Sequence, residues 1–326
     1  MSTIPVPSIT APANGRNRAL LVEYSMPLAY AVLFAVLAAT VENFFSVANI
    51  VGLMLSVAQI GMVACTMMLC LASRDFDLSV GSTIAFAGVL GAIVLERTGS
   101  VPLAVVAGLG SGALIGAGNG VLIAYLRVNA LIATLATMLM VRGLAFIASQ
   151  GQAVGINSDS FIDFGDERIL GLPLPVWVAG ACFLVFGILL NHTVFGRNTL
   201  AIGGNPEAAR LAGVKVEKLR VWIFLLQGLV AGLAGLILAA RITSGQPNAA
   251  QGFELDVISA CVLGGVSLQG GKARIFGVLI GVLIMGTVEN VMNLMNVDAF
   301  YQYLMRGIIL LAAVLLDQLK TRSERH

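Results

Sequence analysis

Long apolar runs, separated by charged or Pro/Gly breaks, recur along almost the whole chain and constrain its fold more than any other feature. They lie at 26–41, 47–72, 79–95, 101–126, 130–149, 173–191, 221–240, 256–270, 275–294 and 303–318. A helix needs about 20 mainly apolar residues to cross the hydrocarbon core of a bilayer. The pattern therefore predicts an all-α polytopic membrane protein with about ten transmembrane helices.

The composition agrees with a surface that faces lipid. Only 11% of the 326 residues are charged and 58% are apolar, whereas soluble domains carry about 25% charged residues. Net charge is only +2 and the basic residues are scattered, so we expect no nucleic-acid partner. The two histidines lie outside the apolar runs and the four cysteines lie in apolar surroundings, so we expect no metal site, haem or disulfide framework.

The distribution of Lys and Arg predicts the topology, because cytoplasmic loops collect these residues. With the N-terminus inside, 14 of the 19 fall in inner segments, three in outer segments and two within spans. We expect a cytoplasmic tail at 1–25, a transmembrane domain at 26–318 and a cytoplasmic tail at 319–326. A cleaved signal peptide is the alternative for the short first run, but no clear cleavage site precedes Glu42.

A seven-residue pattern, F-[DE]-L-x-V-x-S, occurs twice, at 76–82 and at 253–259. On the predicted topology the two copies approach the membrane from opposite sides. This leads to the hypothesis that spans 2–5 and 7–10 are inverted repeats, as is common in transporters. Gly264, Gly265 and Gly270 in the eighth run, with Gly271 directly after it, predict a broken or partly re-entrant helix there.

Glycines also recur every four residues on other spans, at 108, 112, 116 and 120, at 228 and 232, and at 277 and 281. Small residues on one face let helices in lipid approach closely. The spacing predicts a tight helix bundle.

The longest polar interruption predicted on the cytoplasmic side spans 192–220. Within it, Asn205 suits the N-cap of a helix, Pro206 its first position and Gly213 its left-handed end. These signals predict a two-turn helix at 206–212, outside the membrane. So short a helix is marginal alone, which leaves two interpretations: it packs on its own bundle, or it docks into a partner protein through Ala208, Ala209 and Leu211, with Glu207 and Arg210 paired at its rim.

Several stretches resemble the permease subunits of ATP-binding-cassette (ABC) sugar importers of the ribose, xylose, galactose and arabinose group. They are GGNPEAARLAG at 203–213, DFDLSVGS at 75–82, FGRNTLAIGGN at 195–205, ELDVISACVLGGVSLQGG at 254–271 and RGIILLAAVLLD at 306–317. The resemblance extends over nearly the whole chain from about residue 25. This family often has a glycine just before the acidic segment, where the present chain has Arg74.

The resemblance implies an importer permease fold and a homodimer that works with a cytoplasmic ABC ATPase and a periplasmic sugar-binding protein. ATP and Mg²⁺ would bind to the ATPase, so this chain would be a transport subunit without enzymatic activity or a cofactor of its own. It would lie in the bacterial inner membrane with both termini in the cytoplasm. The residues expected to contact the ATPase are Asn205, Pro206, Glu207, Ala208, Ala209, Arg210, Leu211 and Gly213.

Three stretches, at 70–80, 241–255 and 287–296, look specifically like the arabinose members of the group. They favour L-arabinose as the cargo, with xylose, ribose or galactose as alternatives.

A neutral sugar needs hydrogen-bonding groups in an otherwise apolar path. The candidates for this translocation path are Asn119, Asn129, Thr134, Thr137, Gln227, Ser259, Glu289, Asn290, Asn293 and Arg306. Most polar side chains in a bundle join helices instead. Arg306 and Glu289 are as well suited to a structural ion pair as to a sugar contact, and Arg142 is the other arginine within a span.

The outer loop at 150–172 carries four acidic residues and Arg168, and either docks the binding protein or is simply solvated. An ion-coupled secondary transporter is a further alternative for the chain, but it normally needs an acidic side chain near the bilayer midplane. The sequence predicts only Glu289 within a span, with the other acidic residues at or beyond span ends. A membrane enzyme would need a nucleophile or metal cluster, for which the chain offers little material.

Overall fold

The computed structural model describes residues 13–323. Its helices are α1 Ala13–Thr40, α2 Val47–Ala72, α3 Val80–Thr98, α4 Val101–Ala124, α5 Ala130–Ala148, α6 Asp159–Asp166, α7 Leu174–His192, α8 Val194–Gly204, α9 Pro206–Leu211, α10 Val216–Arg241, α11 Phe253–Leu263, α12 Ile275–Leu294 and α13 Ala299–Ser323. Four two-residue strands are β1 Val154–Gly155, β2 Arg168–Ile169, β3 Leu172–Pro173 and β4 Ser244–Gly245. β1 pairs with β4, and β2 pairs with β3, both antiparallel.

Nine of the ten predicted spans correspond to apolar helices, and the all-α polytopic class is confirmed. Among the described residues, seven helices are long and apolar enough to cross a membrane, and the apolar parts of α1 and α13 are shorter. The interrupted eighth span is also confirmed. Its helix, α11, has only 11 residues and ends at Gly264 and Gly265, the latter with φ +83°, so it is too short to cross alone.

Several boundaries differ from the predicted ones. Residues 1–12 and 324–326 lie outside the described part of the chain. Within that part, α1 begins at Ala13, inside the predicted tail at 1–25, and α13 continues through the start of the tail predicted at 319–326. The predicted cytoplasmic loop at 192–220 is largely helical, because α8, α9 and the first turn of α10 lie within it.

Close backbone contact joins α4 to α10. A Cβ atom on Gly112 would collide with the carbonyl oxygen of Gly228, and one on Gly116 with that of Phe224. On α12, a Cβ atom at Gly281 would collide with the carbonyl oxygen of Ala260 in α11, and one at Gly277 with that of Gly264, which caps α11. The glycine spacing therefore produces the close packing that it predicts, in which dispersion contacts between backbones replace the hydrophobic effect.

The packing supports the inverted repeat. If α2, α3, α4 and α5 correspond to α10, α11, α12 and α13, most pairs that pack in one half have a packing pair in the other. Thus α4 packs on α10 and α12 on α2, while α3 packs on α4 and α5, and α11 on α12 and α13. The turns before α5 and α13 also match, because Arg127 and Asn296 both have positive φ, at 56° and 52°, and each precedes the same Val-[Asn/Asp]-Ala pattern.

The two ends of the bundle differ in structure. α9 lies beside the start of α10, while α6 packs on the opposite end of that helix, where Gly165 contacts the backbone of Arg241. Because α10 has 26 residues, these ends lie about 39 Å apart. We refer to them as the α9 end and the α6 end.

A non-helical segment, residues 246–252, runs from the α6 end into the bundle. Gly245 packs against Val89 in the middle of α3, and the carbonyl of Ala250 faces Gly81 near the start of that helix. The Arg142 guanidinium donates hydrogen bonds to the carbonyls of Pro247 at 2.8 Å and Ala249 at 2.6 Å. Arg142 thus supplies hydrogen-bond donors to two backbone carbonyls that lie outside any helix. Backbone polar groups within a bilayer need such partners.

We predict that Gly116→Ala destabilises the protein by about 1–3 kcal/mol, because the added methyl group forces α4 away from α10. Gly118→Ala on the same helix is the control, since a Cβ there meets nothing within 4 Å. Thermal unfolding in detergent, followed by fluorescence, is the measurement. Equal melting temperatures for the two variants would contradict the close-contact interpretation.

Candidate functional site

The predicted surface helix is present as α9, from Pro206 to Leu211, one residue shorter than expected. The Asn205 side chain accepts hydrogen bonds from the backbone N–H groups of Glu207 and Ala208, both at 3.0 Å. Gly213 follows with φ +88°, a conformation that glycine adopts without strain. The cap and the stop therefore lie where the sequence places them.

Each of the two interpretations of α9 applies to one face of the helix. Ala209 is buried and clusters with Ile202 and Val216, so it anchors α9 to its own bundle and is not available for docking. Leu211 is 90% exposed, and Ala208 is exposed as well. One face of the helix packs internally, and the other is free to contact a partner.

Charged side chains fix α9 to the start of α10. Arg210 contacts Glu207 at 3.3 Å, the pair that the sequence predicts, and Glu217 at 2.6 Å. The ion pairs are exposed, so each contributes little stability. Their effect is geometric, because Arg210 holds the short helix against α10.

A second ion pair lies behind the first. Arg220, one turn along α10 from Glu217, contacts the Asp75 carboxylate at 3.0 Å. Burial raises the pKa of Asp75 to about 6, opposed by Arg220 and by a hydrogen bond from Ser73. Asp75 also belongs to the segment joining α2 to α3, so the pair ties α10 to that segment.

A cavity of about 750 Å³ opens between these elements. Its lining combines Arg74, Asp75, Arg127, Glu207, Arg210, Glu217 and Arg220 with apolar residues of α4 and α5. The α9 end therefore presents a polar, charged cleft directly beside the exposed face of α9.

Arg74 adopts the backbone conformation that glycine would favour. Its φ is +69°, and its side chain donates a hydrogen bond to the Gln269 carbonyl at 2.6 Å. The departure from the resembled pattern thus keeps the left-handed turn, and the arginine adds a contact that glycine cannot make.

The candidate path residues of the first repeat serve mainly to join elements. Thr137 donates to Asn119 at 2.6 Å, and Asn119 donates to Ser79 at 2.9 Å. Thr134 donates to the Ala130 carbonyl at 2.8 Å and lies 3.3 Å from that of Phe76. Asn129 is the exposed N-cap of α5 and also lines the cavity at the α9 end.

The remaining polar candidates differ in how well they are satisfied. Asn290 donates to Asn49 at 3.0 Å, and the exposed Asn293 accepts from Gln302 at 3.1 Å. Gln227 and Ser259 are almost fully buried, and their side chains have no hydrogen-bond partner among residues 13–323. These positions are brought to three different helices rather than to one lined channel.

Glu289 and Arg306 do come together, as the sequence predicts, and a third residue joins them. Arg306 contacts Asp256 at 3.3 Å and Glu289 at 3.7 Å. We call Asp256, Glu289 and Arg306 the charged cluster. Asp256 lies in the first turn of α11, in agreement with its expected position at a span end, and it is only 4% exposed, which the sequence did not predict. Asp77 is equally buried, and it accepts hydrogen bonds from the backbone and hydroxyl of Ser79. Both residues belong to the repeated pattern, the one sequence signal that could have placed them inside.

A bundle of apolar helices with an inverted repeat, interior polar groups and an exposed surface helix at one end defines a membrane transport protein. A family model described as "Branched-chain amino acid transport system / permease component" matches residues 49–314. The chain belongs to this permease family and is a multi-pass membrane protein.

Individual relatives cover nearly the whole chain. It is 56% identical over 303 residues to the L-arabinose transport system permease protein of Escherichia coli K12, covering 93% of this chain and 92% of the relative. An L-arabinose ABC transporter permease of Azospirillum brasilense is 51% identical over 317 residues, covering 97% and 94%. The ribose import permease of E. coli K12 is 41% identical over 318 residues, covering 95% and 99%. No solved structure matches the chain.

We predict that Asn205→Ala weakens α9 by about 1 kcal/mol, because two backbone donors lose their acceptor. Asn205→Asp preserves the acceptor and is the matched control. Proteolysis of the segment at 206–213 in the intact protein measures the opening of the helix. Equal cleavage rates for the alanine and aspartate variants would contradict the capping role.

Asp75 leads to a pH-dependent prediction. Its pKa of about 6 in the folded protein exceeds the ordinary 3.8, so folding favours the protonated acid, and stability falls as pH rises between these values. Asp75→Asn avoids the cost of ionisation. We expect it to raise the melting temperature at about pH 7.5 and to have a much smaller effect at about pH 3, below the ordinary pKa of the carboxyl. Asp163→Asn, at an exposed carboxylate, is the control, and a pH-independent difference for Asp75→Asn would contradict the assignment.

Proposed function

We propose that this chain is the membrane-spanning permease subunit of an ABC importer that moves L-arabinose into the cytoplasm by alternating access. The higher identity to two arabinose permeases than to the ribose permease supports this cargo. Ribose, xylose and galactose remain alternative cargos, and an ion-coupled secondary transporter is the alternative mechanism. ATP hydrolysis takes place on a partner ATPase, which binds ATP and Mg²⁺.

The observation that carries the ATPase coupling is the exposed face of α9. The capped helix is anchored to the bundle by Ala209 and held to α10 by Arg210. It can therefore transmit a displacement caused by a bound partner directly to the bundle. Its sequence is the stretch that most resembles a coupling element. In this proposal the α9 end is cytoplasmic, both termini lie inside, and the protein resides in the bacterial inner membrane.

The opposite end suits a periplasmic sugar-binding protein. On α6, Phe161 is buried against the ends of α3, α4 and α10, whereas Asp159, Asp163 and Asp166 are exposed. The helix thus turns an acidic face outward on a firmly packed base. Charge complementarity with a basic surface would orient the binding protein there.

A second copy of the chain completes the path in this proposal. Exposed apolar side chains on α5 and α13, including Leu135, Leu139, Leu304 and Leu311, form faces that one copy leaves uncovered. A homodimer would cover part of these faces.

We predict that Leu211→Asp abolishes ATP-dependent L-arabinose uptake while the protein still inserts and assembles with its second copy. Leu211 is 90% exposed, so the fold tolerates the change, but an apolar docking contact does not. Leu211→Met is the conservative control and should transport normally. The measurement is uptake by proteoliposomes that contain the permease, its ATPase and the loaded binding protein.

The same preparation tests the proposed function. Uptake that requires ATP and both protein partners supports an importer, and the pentose that stimulates ATP hydrolysis identifies the cargo. Uptake by the permease alone, driven by a proton gradient, would favour the secondary transporter. Normal uptake by Leu211→Asp would contradict the docking role of α9.

A further inference from the structure

The charged cluster has a neutral counterpart in the other repeat. Asp256 stands three residues after Phe253, as Ser79 does after Phe76. Arg306 stands eight residues after the turn residue Asp298, as Thr137 does after Asn129. Glu289 on α12 corresponds to Asn119 on α4, since each stands six residues before the residue that caps its helix.

Each set also links its three residues by two contacts, of which the pair Asn119–Thr137 corresponds to the pair Glu289–Arg306. In the first repeat, Asn119 joins Ser79 to Thr137 through hydrogen bonds of 2.9 and 2.6 Å. In the second, Arg306 joins Asp256 to Glu289 across 3.3 and 3.7 Å. The neutral set therefore performs the packing task, linking three helices, with short bonds and no charge. The charged cluster performs it with longer contacts, although charged groups inside a membrane protein are costly.

Packing alone thus does not account for the charges. Both contacts of Arg306 are longer than the 2.7–2.9 Å of a tight charged hydrogen bond, and a guanidinium has five donors. The donors and carboxylate oxygens of the charged cluster retain capacity for a further polar group.

The charged cluster is also accessible from one side. The side chain of Glu289 is 30% exposed, while that of Asp256 behind it is 5% exposed. Tyr303 lies one turn before Arg306 on α13, is 53% exposed, and has its ring 5.8 Å from the Arg306 guanidinium carbon. Gly252 faces the side chains of Tyr303 and Arg306, and it has no side chain that would fill the space beside them.

We propose that the charged cluster and Tyr303 form a low-affinity contact site for the hydroxyl groups of the transported monosaccharide. Carboxylates accept hydrogen bonds from sugar hydroxyls, the guanidinium donates to sugar oxygens, and the tyrosine ring covers an apolar face of the sugar. This inference rests on the proposed function and locates its cargo at the start of α11, inside the bundle. Asp256 and Tyr303 were not among the path candidates from the sequence.

Direct binding tests the site apart from transport. The probe is L-arabinose at millimolar concentration, added to the purified permease in lipid nanodiscs, with saturation-transfer NMR as the readout. We expect transfer to the sugar ring protons in the parent protein and at least about a fivefold smaller signal in Glu289→Gln and Arg306→Gln, which lose charged hydrogen bonds. Glu96→Gln, at an exposed glutamate of α3, is the matched control and should match the parent.

Uptake by the full complex then separates a sugar contact from a structural role. We expect Glu289→Gln to reduce the maximal uptake rate about tenfold while ATP hydrolysis, stimulated by the loaded binding protein, stays within about twofold of the parent. Arg306→Lys should restore part of the uptake that Arg306→Gln loses. Equal losses of uptake and hydrolysis, or parent-like uptake in both glutamine variants, would overturn the proposal.

The two experiments fail in different ways. Parent protein that binds L-arabinose but shows no ATP-driven uptake would contradict the proposed function and leave the site intact. Parent protein that transports L-arabinose, with variants that bind and transport it equally well, would overturn the site and leave the function intact.

Discussion

The structure depends on satisfying backbone polar groups where no water is available. In hydrocarbon an unpaired N–H or C=O is costly, so a chain can leave the helical state only where other protein groups replace the lost bonds. The segment at 246–252 is such a place, and Arg142 supplies its donors. That arginine lets α11 begin inside the bundle, which in turn brings Asp256 to Glu289 and Arg306. Without a satisfied entry segment the charged cluster could not assemble.

Local signals in the sequence predict much of this architecture. The apolar runs predict nine of the apolar helices, and the limits of α9 follow from Asn205, Pro206 and Gly213, whose effects reach only a few residues along the chain. The interrupted eighth span follows from its glycines. The sequence did not decide whether α9 packs on its own bundle or docks to a partner. The residues that bury Ala209 belong to α8 and α10, and a local pattern does not reveal them.

Other features depend on contacts between distant residues and left little trace in the sequence. The pair formed by Asp75 and Arg220 joins positions in different helical hairpins, and neither stands in a distinctive local pattern. α6 and the short strands at the α6 end have no long hydrophobic period. The burial of Asp256 was not predicted, because its partners Glu289 and Arg306 lie on other helices, far along the chain.

α10 extends from α9 toward the charged cluster. Its first two turns are held to α9 by Glu217 and to the segment before α3 by Arg220. Its last residue, Arg241, lies within electrostatic range of Glu289. Glycine contacts bind α10 so closely to α4 that bending is opposed along its length, because a tightly packed interface shifts between discrete arrangements rather than deforming continuously. A displacement imposed at α9 would therefore move α10 and α4 together and reach the charged cluster as a change in the position of Arg241. Coupling over about 39 Å then needs no chain of intermediate switches, only a stiff helix with an ion pair to α9 at one end and Arg241 within electrostatic range of Glu289 at the other.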